Sequence, residues 1–403
     1  MSINTEVTNN ATAKSERMVL SKGLLIILTI GAGLSVANIY YNQPMLGVFS
    51  KEFHQPSEKI SLIPFLSQAG YALGIFFLSP LGDRFERKKL ILSTMLLLII
   101  SIVATAMSQS IEWLIINSLL TGVLSTVTQQ IVPLAVSLAK PKERGKVIGI
   151  VTGGILFGIL LARTIGGYVT DQIGWRSMFW IAASLMSITT IAMAIKLPRV
   201  MPTTDISYTQ VMRSLGSLFI KHPALRQAAF IQSLIFGAFL AFWSNLAQLF
   251  QQPSYNLGAT AVGLIGVVGA GGALIAPIAG KLSDVRGPRT VVTFGAGLLM
   301  VAFAILGGIQ NSLSALIIAV IIMDLAVQAS QVSNQAQVYA LDATARSRLN
   351  TVFMTAMFCG GAAGSELGNM AFNYYNWLGT CVISGIAVLL AFLLSLRKPP
   401  KSL

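Results

Sequence analysis

The sequence predicts an all-helical protein that crosses a membrane many times, and three observations carry that prediction. Of its 403 residues 54% are hydrophobic and only 10% are charged, against about 25% charged in an ordinary soluble domain. Apolar stretches of the roughly 20 residues that a spanning helix needs recur along nearly the whole chain. The basic residues fall in the gaps between those stretches, as short loops on the positive side of a membrane require.

Hydropathy windows place twelve segments at 22–47, 60–82, 89–109, 111–139, 146–170, 177–197, 226–251, 260–282, 289–309, 312–340, 350–373 and 376–396. Before them lies a polar tail, 1–21, rich in Asn and Thr and without the apolar core of a signal peptide. In segment 1, Asn38, Tyr41 and Asn42 share a face, with Gln43 beside them and Pro44 expected to bend the far end. Between segments 2 and 3 runs the basic loop "LGDRFERKK", with Asp83, Arg84, Arg87 and Lys88. Segment 4 carries Thr121, Ser125 and Gln129, and segment 5 carries Arg163 inside "GILLARTIGG". A polar, basic linker, 198–225, separates the first six segments from the last six, and a short basic tail, 398–403, ends the chain.

In segment 7 the polar positions are Gln232, Trp243, Asn245 and Gln248. The loop "LSDVRGPRT" after segment 8 holds Asp284 and Arg289. Segment 10 has Asp324, Gln328, Gln331 and Gln335 at i, i+4, i+7 and i+11, one face of a helix. Such a face turns away from lipid, towards a cavity or a neighbouring helix. Segment 11 holds Glu366. Two cysteines, Cys359 and Cys381, sit in apolar segments and imply no disulfide framework.

Sidedness follows from charge. With the N-terminus in the cytoplasm, 24 of the 28 basic residues lie on that side, and only Lys51, Lys59 and Arg176 on the other. Both termini are therefore expected to be cytoplasmic. The formal charge of +14 belongs to these loops, so nucleic-acid binding is not expected.

The halves repeat each other. Asp83 and Asp284 occupy like loops 201 residues apart, while Arg144 and Arg346, and Trp175 and Trp377, are 202 apart. A parallel repeat of helices is one way to build a transporter with its site between the halves, near mid-membrane.

With "SPLGDRFERKK" and "GKLSDVRGPR" added, the chain resembles the major facilitator superfamily, whose signature between helices 2 and 3 is G-x-L-x-D-R-x-G-R-[RK]. Leu81, Asp83, Arg84, Arg87 and Lys88 match; Ser79 and Glu86 replace glycines. The resemblance implies the major facilitator fold, two six-helix bundles at 22–197 and 226–397, and a cavity lined by helices 1, 4, 7 and 10. It also implies a cytoplasmic gate at Asp83, Arg84, Arg87, Lys88, Asp284 and Arg289. Segment 5 is similar to the G-x-x-x-G-P-x-x-G-G helix of drug–proton antiporters in that superfamily. Gly158, Gly166 and Gly167 match and are expected to pack helices, but Ala162 and Arg163 stand for the central Gly-Pro. The antiporter arginine of helix 4 would fall at Ser118.

A charge at the depth of Arg163 costs about 2.5–3.5 kcal/mol on insertion scales, so it is expected to face a cavity, a carboxylate or, by snorkelling, the interface. The deep carboxylates are Asp324 and Glu366. Removal from water disfavours an ionised carboxylate, so both are candidate proton carriers. Substrate-binding candidates are Asn38, Tyr41, Gln129, Arg163, Gln232, Trp243, Asn245, Gln328 and Gln331. No nucleotide loop, metal cluster or hydrolytic pairing is present in the sequence, so no cofactor and no enzymatic activity are expected. The function expected is proton-coupled efflux of small organic molecules or drugs across a bacterial inner membrane, by rocker-switch alternating access, with a monomer in the lipid bilayer as the working unit. The alternative is a proton symporter or organic-anion carrier with Arg163 as the substrate ligand.

Overall fold

The computed structural model describes residues 20–140, 143–200, 207–269, 271–309, 312–342 and 345–397, without the side chains of Asp83, Asp284 and 271–277. Residues 1–19 of the expected N-terminal tail and all of the expected C-terminal tail, 398–403, lie outside those residues. Among them the elements are helical: α1 Lys22–Ala37, α2 Leu46–Phe53, α3 Leu62–Leu78, α4 Arg87–Ala106, α5 Ile111–Ser125, α6 Thr128–Leu138, α7 Arg144–Ile173 and α8 Trp175–Lys196. Then follow α9 Tyr208–Lys221, α10 Pro223–Gln251, α11 Ala259–Gly269, α12 Gly271–Arg286, α13 Pro288–Gly308, α14 Leu313–Tyr339 and α15 Arg346–Ser395. Among the described residues nine helices are long and apolar enough to cross a membrane, and two shorter apolar ones, Lys22–Ala37 and Ala259–Gly269, accompany them. With α15 broken at Tyr375 and Asn376, the arrangement is consistent with twelve crossings.

Two interruptions depart from the even segments the hydropathy suggested. Segment 1 leaves helical form after Ala37, makes a turn and a 3-10 stretch, Gln43–Met45, and resumes as α2. Pro44 lies within that stretch, where its missing N–H is tolerated. Segment 4 breaks between α5 and α6. The linker is partly helical. Ser207 and Gln210 form a capping box at the start of α9, and Val211, Leu215 and Leu218 bury one side of it. Leu215 and Leu218 pack with Leu225, Leu349 and Phe353.

Backbones approach most closely where glycines remove the side chain. A Cβ on Gly158 would lie 2.3 Å from Gly33 O, drawing α7 onto α1. In the second helix set a Cβ on Gly364 would lie 2.1 Å from Gly237 O, drawing α15 onto α10. Small residues serve this purpose between membrane helices, where lipid is as apolar as leucine and only close packing distinguishes a partner. Large apolar side chains such as Ile116, Ile188 and Ile195 are exposed, as a lipid-facing belt must be.

Candidate functional site

The break in segment 1 builds the site. It carries Tyr40 and Gln43 out of helical register and onto Arg163 of α7, which is 4% exposed. Arg163 Nε donates to Gln43 Oε1 at 2.7 Å. The guanidinium carbon lies 4.2 Å from the ring centre of Trp243 and 4.8 Å from that of Tyr40, with Phe239 at 6.0 Å. A desolvated cation over aromatic faces gains about 2 kcal/mol, which offsets part of its burial. Beneath it, a Cβ on Gly266 of α11 would lie 3.2 Å from Arg163 Cβ. The arginine therefore points into the protein at the meeting of α7, α10 and α11, and does not snorkel.

Asp324 of α14 is 9% exposed and lies against Gly269, where a Cβ would come 2.6 Å from its Oδ2. Arg163 and Asp324 attract each other but make no ion pair. Arg163 Nη2 and Asp324 Oδ2 are both buried without a partner, and so are Gln43 Nε2 and Trp243 Nε1.

The other expected residues scatter around this pair. Asn38 donates to Leu34 O at 2.8 Å and leaves its Oδ1 unpartnered. Tyr41 turns away, edge-on to Phe179 at 6.5 Å; its neighbour Tyr40 takes the place beside the arginine. Gln129, half-buried, donates to the Tyr71 hydroxyl at 3.3 Å, and Tyr71 leads to Phe358, Phe236 and Phe239 in a ladder of ring contacts. Gln232 accepts from Asn334 at 3.0 Å, inside the second helix set and apart from Arg163. Asn245 donates to Ala241 O. Gln328 and Gln331 are half-buried and make no hydrogen bond among the described residues. Glu366 is not at the arginine: its Oε2 lies 3.0 Å from Ser61 Oγ.

For the expected gate, the side chains of Asp83 and Asp284 lie outside the described residues. Arg84 is exposed and Lys88 half-buried. Arg87 Nε donates to Gly82 O at 3.2 Å. Arg289 Nε donates to Ser395 O at 2.6 Å, a cation on the C-terminal end of α15. Of the packing glycines, Gly158 meets α1 and Gly167 meets Ala259 O, where a Cβ would lie 2.3 Å away, while Gly166 is in ordinary contact with Tyr41.

The two helix sets touch unequally along their length. At the end opposite the basic loops, Thr164 Oγ1 donates to Gly263 O at 2.9 Å. Asp171 accepts from Thr260 N at 2.7 Å and from the Thr260 hydroxyl at 2.6 Å, at the start of α11. Ser61 meets Glu366, and Asn369 Nδ2 donates to Ser57 O at 3.4 Å. Towards the basic loops, no hydrogen bond joins α1–α8 directly to α10–α15 among the described residues. There Gly145, Gly149 and Gly153 of α7 have nothing within 4 Å of a built Cβ. The hydrogen bonds between the sets are confined to one end, with the charged pair just inside them, while towards the basic loops Phe76 of α3 still packs against the cluster that holds Leu349 and Phe353 of α15.

A helical membrane protein with opposite charges buried where two helix sets meet has the build of a transporter. The chain belongs to the Major Facilitator Superfamily, whose family description matches residues 28–341 and 229–403; it is an integral multi-pass membrane transporter and not an enzyme. It is 39% identical over 375 residues to an uncharacterized transporter, YgaY, of Escherichia coli O157:H7, covering 93% of this chain and 95% of that protein. It is 29% identical over 381 residues to a probable transporter, SCO4007, of Streptomyces coelicolor, covering 94% and 88%. Its fold is similar to that of a bacterial homologue of the human lysosomal transporter Spinster, inward-facing and unoccupied, with TM-score 0.72 at 15% identity over 92% of this chain and 96% of that one. The human organic anion transporter MFSD10 is similar at TM-score 0.66 and 15% identity, over 93% and 99%.

Proposed function

We propose that this chain is a proton-coupled secondary transporter of small organic molecules, working by alternating access with the bundles 22–197 and 226–397 as its moving bodies. The basic loops support cytoplasmic termini in a bacterial inner membrane, so the end joined by hydrogen bonds between the helix sets faces outward. A monomer suffices, because both members of the charged pair come from one chain.

Two finer readings share that core. In the first, Asp324 binds a cationic drug until a proton displaces it, and the result is efflux. In the second, Arg163 holds an organic anion while Asp324 holds a proton. One observation favours the second. Arg163 Nη2, Gln43 Nε2 and Trp243 Nε1 are three buried donors around one guanidinium, and none has an acceptor. Each unsatisfied buried donor costs about 1–3 kcal/mol, so this wall is made for an acceptor such as a carboxylate.

Charge balance agrees. With the chamber empty, Arg163 and an ionised Asp324 neutralise one another. An anion on Arg163 keeps the chamber neutral only when Asp324 is protonated. A chamber neutral in both states avoids the cost of carrying net charge through a low-dielectric interior. Anion and proton then travel together.

The test is accumulation of labelled organic anions and cations by proteoliposomes under an imposed pH gradient. The expected result is anion accumulation driven by inward protons. In Asp324→Asn the dependence on the gradient disappears while exchange of anion for anion persists. If that variant accumulates solute with the wild-type dependence, Asp324 does not carry the proton. If cations move against protons and anions do not move, the efflux reading replaces this one.

A further inference from the structure

The linker between the two helix sets carries a helix that the transport chamber does not use. α9 buries Val211, Leu215 and Leu218. These recur every three or four residues, so they form one stripe and leave the rest of the helix uncovered. Leu215 and Leu218 pack with Leu349 and Phe353 of α15. At the start of α9 the Tyr208 hydroxyl donates to Phe77 O of α3 at 3.0 Å. α9 therefore touches both helix sets, on the side of the basic loops.

Its uncovered surface is not that of a helix in water. Phe219 is 42% exposed and Ile220 67%, and Met212 is half-buried. At about 100° per residue, Met212, Gly216, Phe219 and Ile220 make a second apolar flank beside the buried stripe. Gln210, Arg213, Ser217 and Lys221 make the polar flank round the other side. Depth decides what covers the apolar flank. Phe219 and Ile220 lie within a turn of Pro223, where the 29-residue apolar span of α10 begins. Arg226, in the first turn of α10, donates to the carbonyls of Phe219 and Ile220 and ties the end of α9 to that start. The other end of α9 meets α3 at Phe77, whose side chain is exposed in the lipid-facing belt, as is Phe230 of α10. Both ends of α9 thus lie where spanning helices leave the hydrocarbon.

Charge selects the kind of surface. From Ser207 to Arg226 the basic residues are Arg213, Lys221 and Arg226, and there is no acidic one. Arg226 is spent on the end of α9. Arg213 and Lys221 are exposed and make no hydrogen bond or ion pair among the described residues. An apolar flank beside a basic one is the composition of a helix that lies in a membrane surface. Basic side chains at that depth are drawn to acidic lipid headgroups.

We propose that α9 is an anionic-lipid-binding helix: it lies in the membrane surface beside the basic loops, with Phe219 and Ile220 inserted and Arg213 and Lys221 on the phosphates of acidic phospholipids. The inference does not depend on which solute Arg163 and Asp324 handle.

The test uses the full chain in nanodiscs, whose two faces carry the same lipids, so its outcome is independent of sidedness. With Cys359 and Cys381 replaced, the fluorophore NBD is placed on Gly216→Cys, on the apolar flank with nothing within 4 Å of a built Cβ, or on Ser217→Cys, on the polar flank. Phosphatidylglycerol or phosphatidylcholine bearing a nitroxide high on its acyl chain is the quencher. The expected result is strong quenching at 216 and weak quenching at 217. Phosphatidylglycerol is preferred over phosphatidylcholine at 216 by at least about tenfold, the ratio that two basic residues at a membrane surface command. Arg213→Gln with Lys221→Gln removes that preference and leaves the thermal unfolding midpoint in detergent unchanged. Position 216 quenched no more than 217 would overturn the proposal and turn the flank towards water or a soluble partner. Equal quenching by the two lipids in wild type, or a preference that survives the double substitution, would also overturn it.

Discussion

Positions 163 and 365, and 122 and 324, are related by the same 202-residue step, yet the two halves fill them differently. Arg163 stands in the first half where the second has Ser365, hydrogen-bonded to Ser244 at 2.6 Å. Asp324 stands in the second half where the first has Gly122, whose missing Cβ lets Ser67 O approach to 2.3 Å of where it would be. The scaffold contacts are shared and the charges are not. A repeat supplies two equivalent walls, and the cavity becomes a site only where that equivalence is broken by one cation in one wall and one carboxylate in the other.

The largest effect is expected from removing the cation. Arg163→Ala leaves a chamber with a lone carboxylate and no guanidinium for Gln43 and Trp243 to hold. Transport should fall by about a hundredfold or more, in line with losing one partner of a buried charged contact, while the protein still reaches the membrane; labelled solute uptake beside a surface-expression measurement checks both. Arg163→Lys should rescue little, because a point charge cannot span Gln43 and lie flat on Trp243 and Tyr40 at once. Near wild-type uptake in the lysine variant would reduce the arginine to a bare charge.

Next comes the equivalence of the packing seams. Gly158→Ala and Gly364→Ala each drive a methyl into a backbone carbonyl, at 2.3 Å and 2.1 Å. Both should destabilise the protein by about 1–3 kcal/mol, seen as a lower midpoint in thermal unfolding in detergent. Gly149→Ala, with nothing within 4 Å, should be neutral by the same measurement. A large loss there would mean that this face of α7 is packed in the membrane. The smallest expected effect is at the contacts between the helix sets. Thr164→Val removes one neutral hydrogen bond, worth about 1 kcal/mol, and should alter the transport rate by about fivefold at most.

Much of this was legible in the residues. Hydropathy marked the crossings and charge marked the basic loops. The spacing of Trp175 and Trp377 revealed the step that also relates Thr164 to Glu366. The isolation of Arg163 and Asp324 among apolar residues picked out the central pair. What stayed hidden depended on backbone geometry. "ANIYYNQPML" reads as continuing helix, and on a helix Tyr41 shares a face with Asn38. The turn after Ala37 shifts that register and delivers Tyr40 and Gln43 instead. Phe239 and Trp243 are one turn apart on α10, a spacing that core packing produces just as readily. Glu366 was visible as deep, but its neighbour Ser61 lies in a different bundle, and only the fold brings them together. The helix in the linker had its signals in plain view, Ser207 as cap and apolar residues at 211, 215 and 218, within a stretch whose overall polarity masked them.

The central claim is that Arg163 receives an anionic solute while Asp324 holds a proton. The most direct measurement is thermal unfolding of purified wild type and Arg163→Ala with organic anions, lipophilic cations, nucleosides and sugars, near pH 6 and near pH 8, since a ligand that binds only the folded protein raises its apparent stability. The account predicts stabilisation by organic anions, greater at the lower pH because an ionised Asp324 competes for the arginine, and abolished in Arg163→Ala. Stabilisation by cations instead, greater at the higher pH and indifferent to Arg163→Ala, would contradict it and make Asp324 the solute ligand.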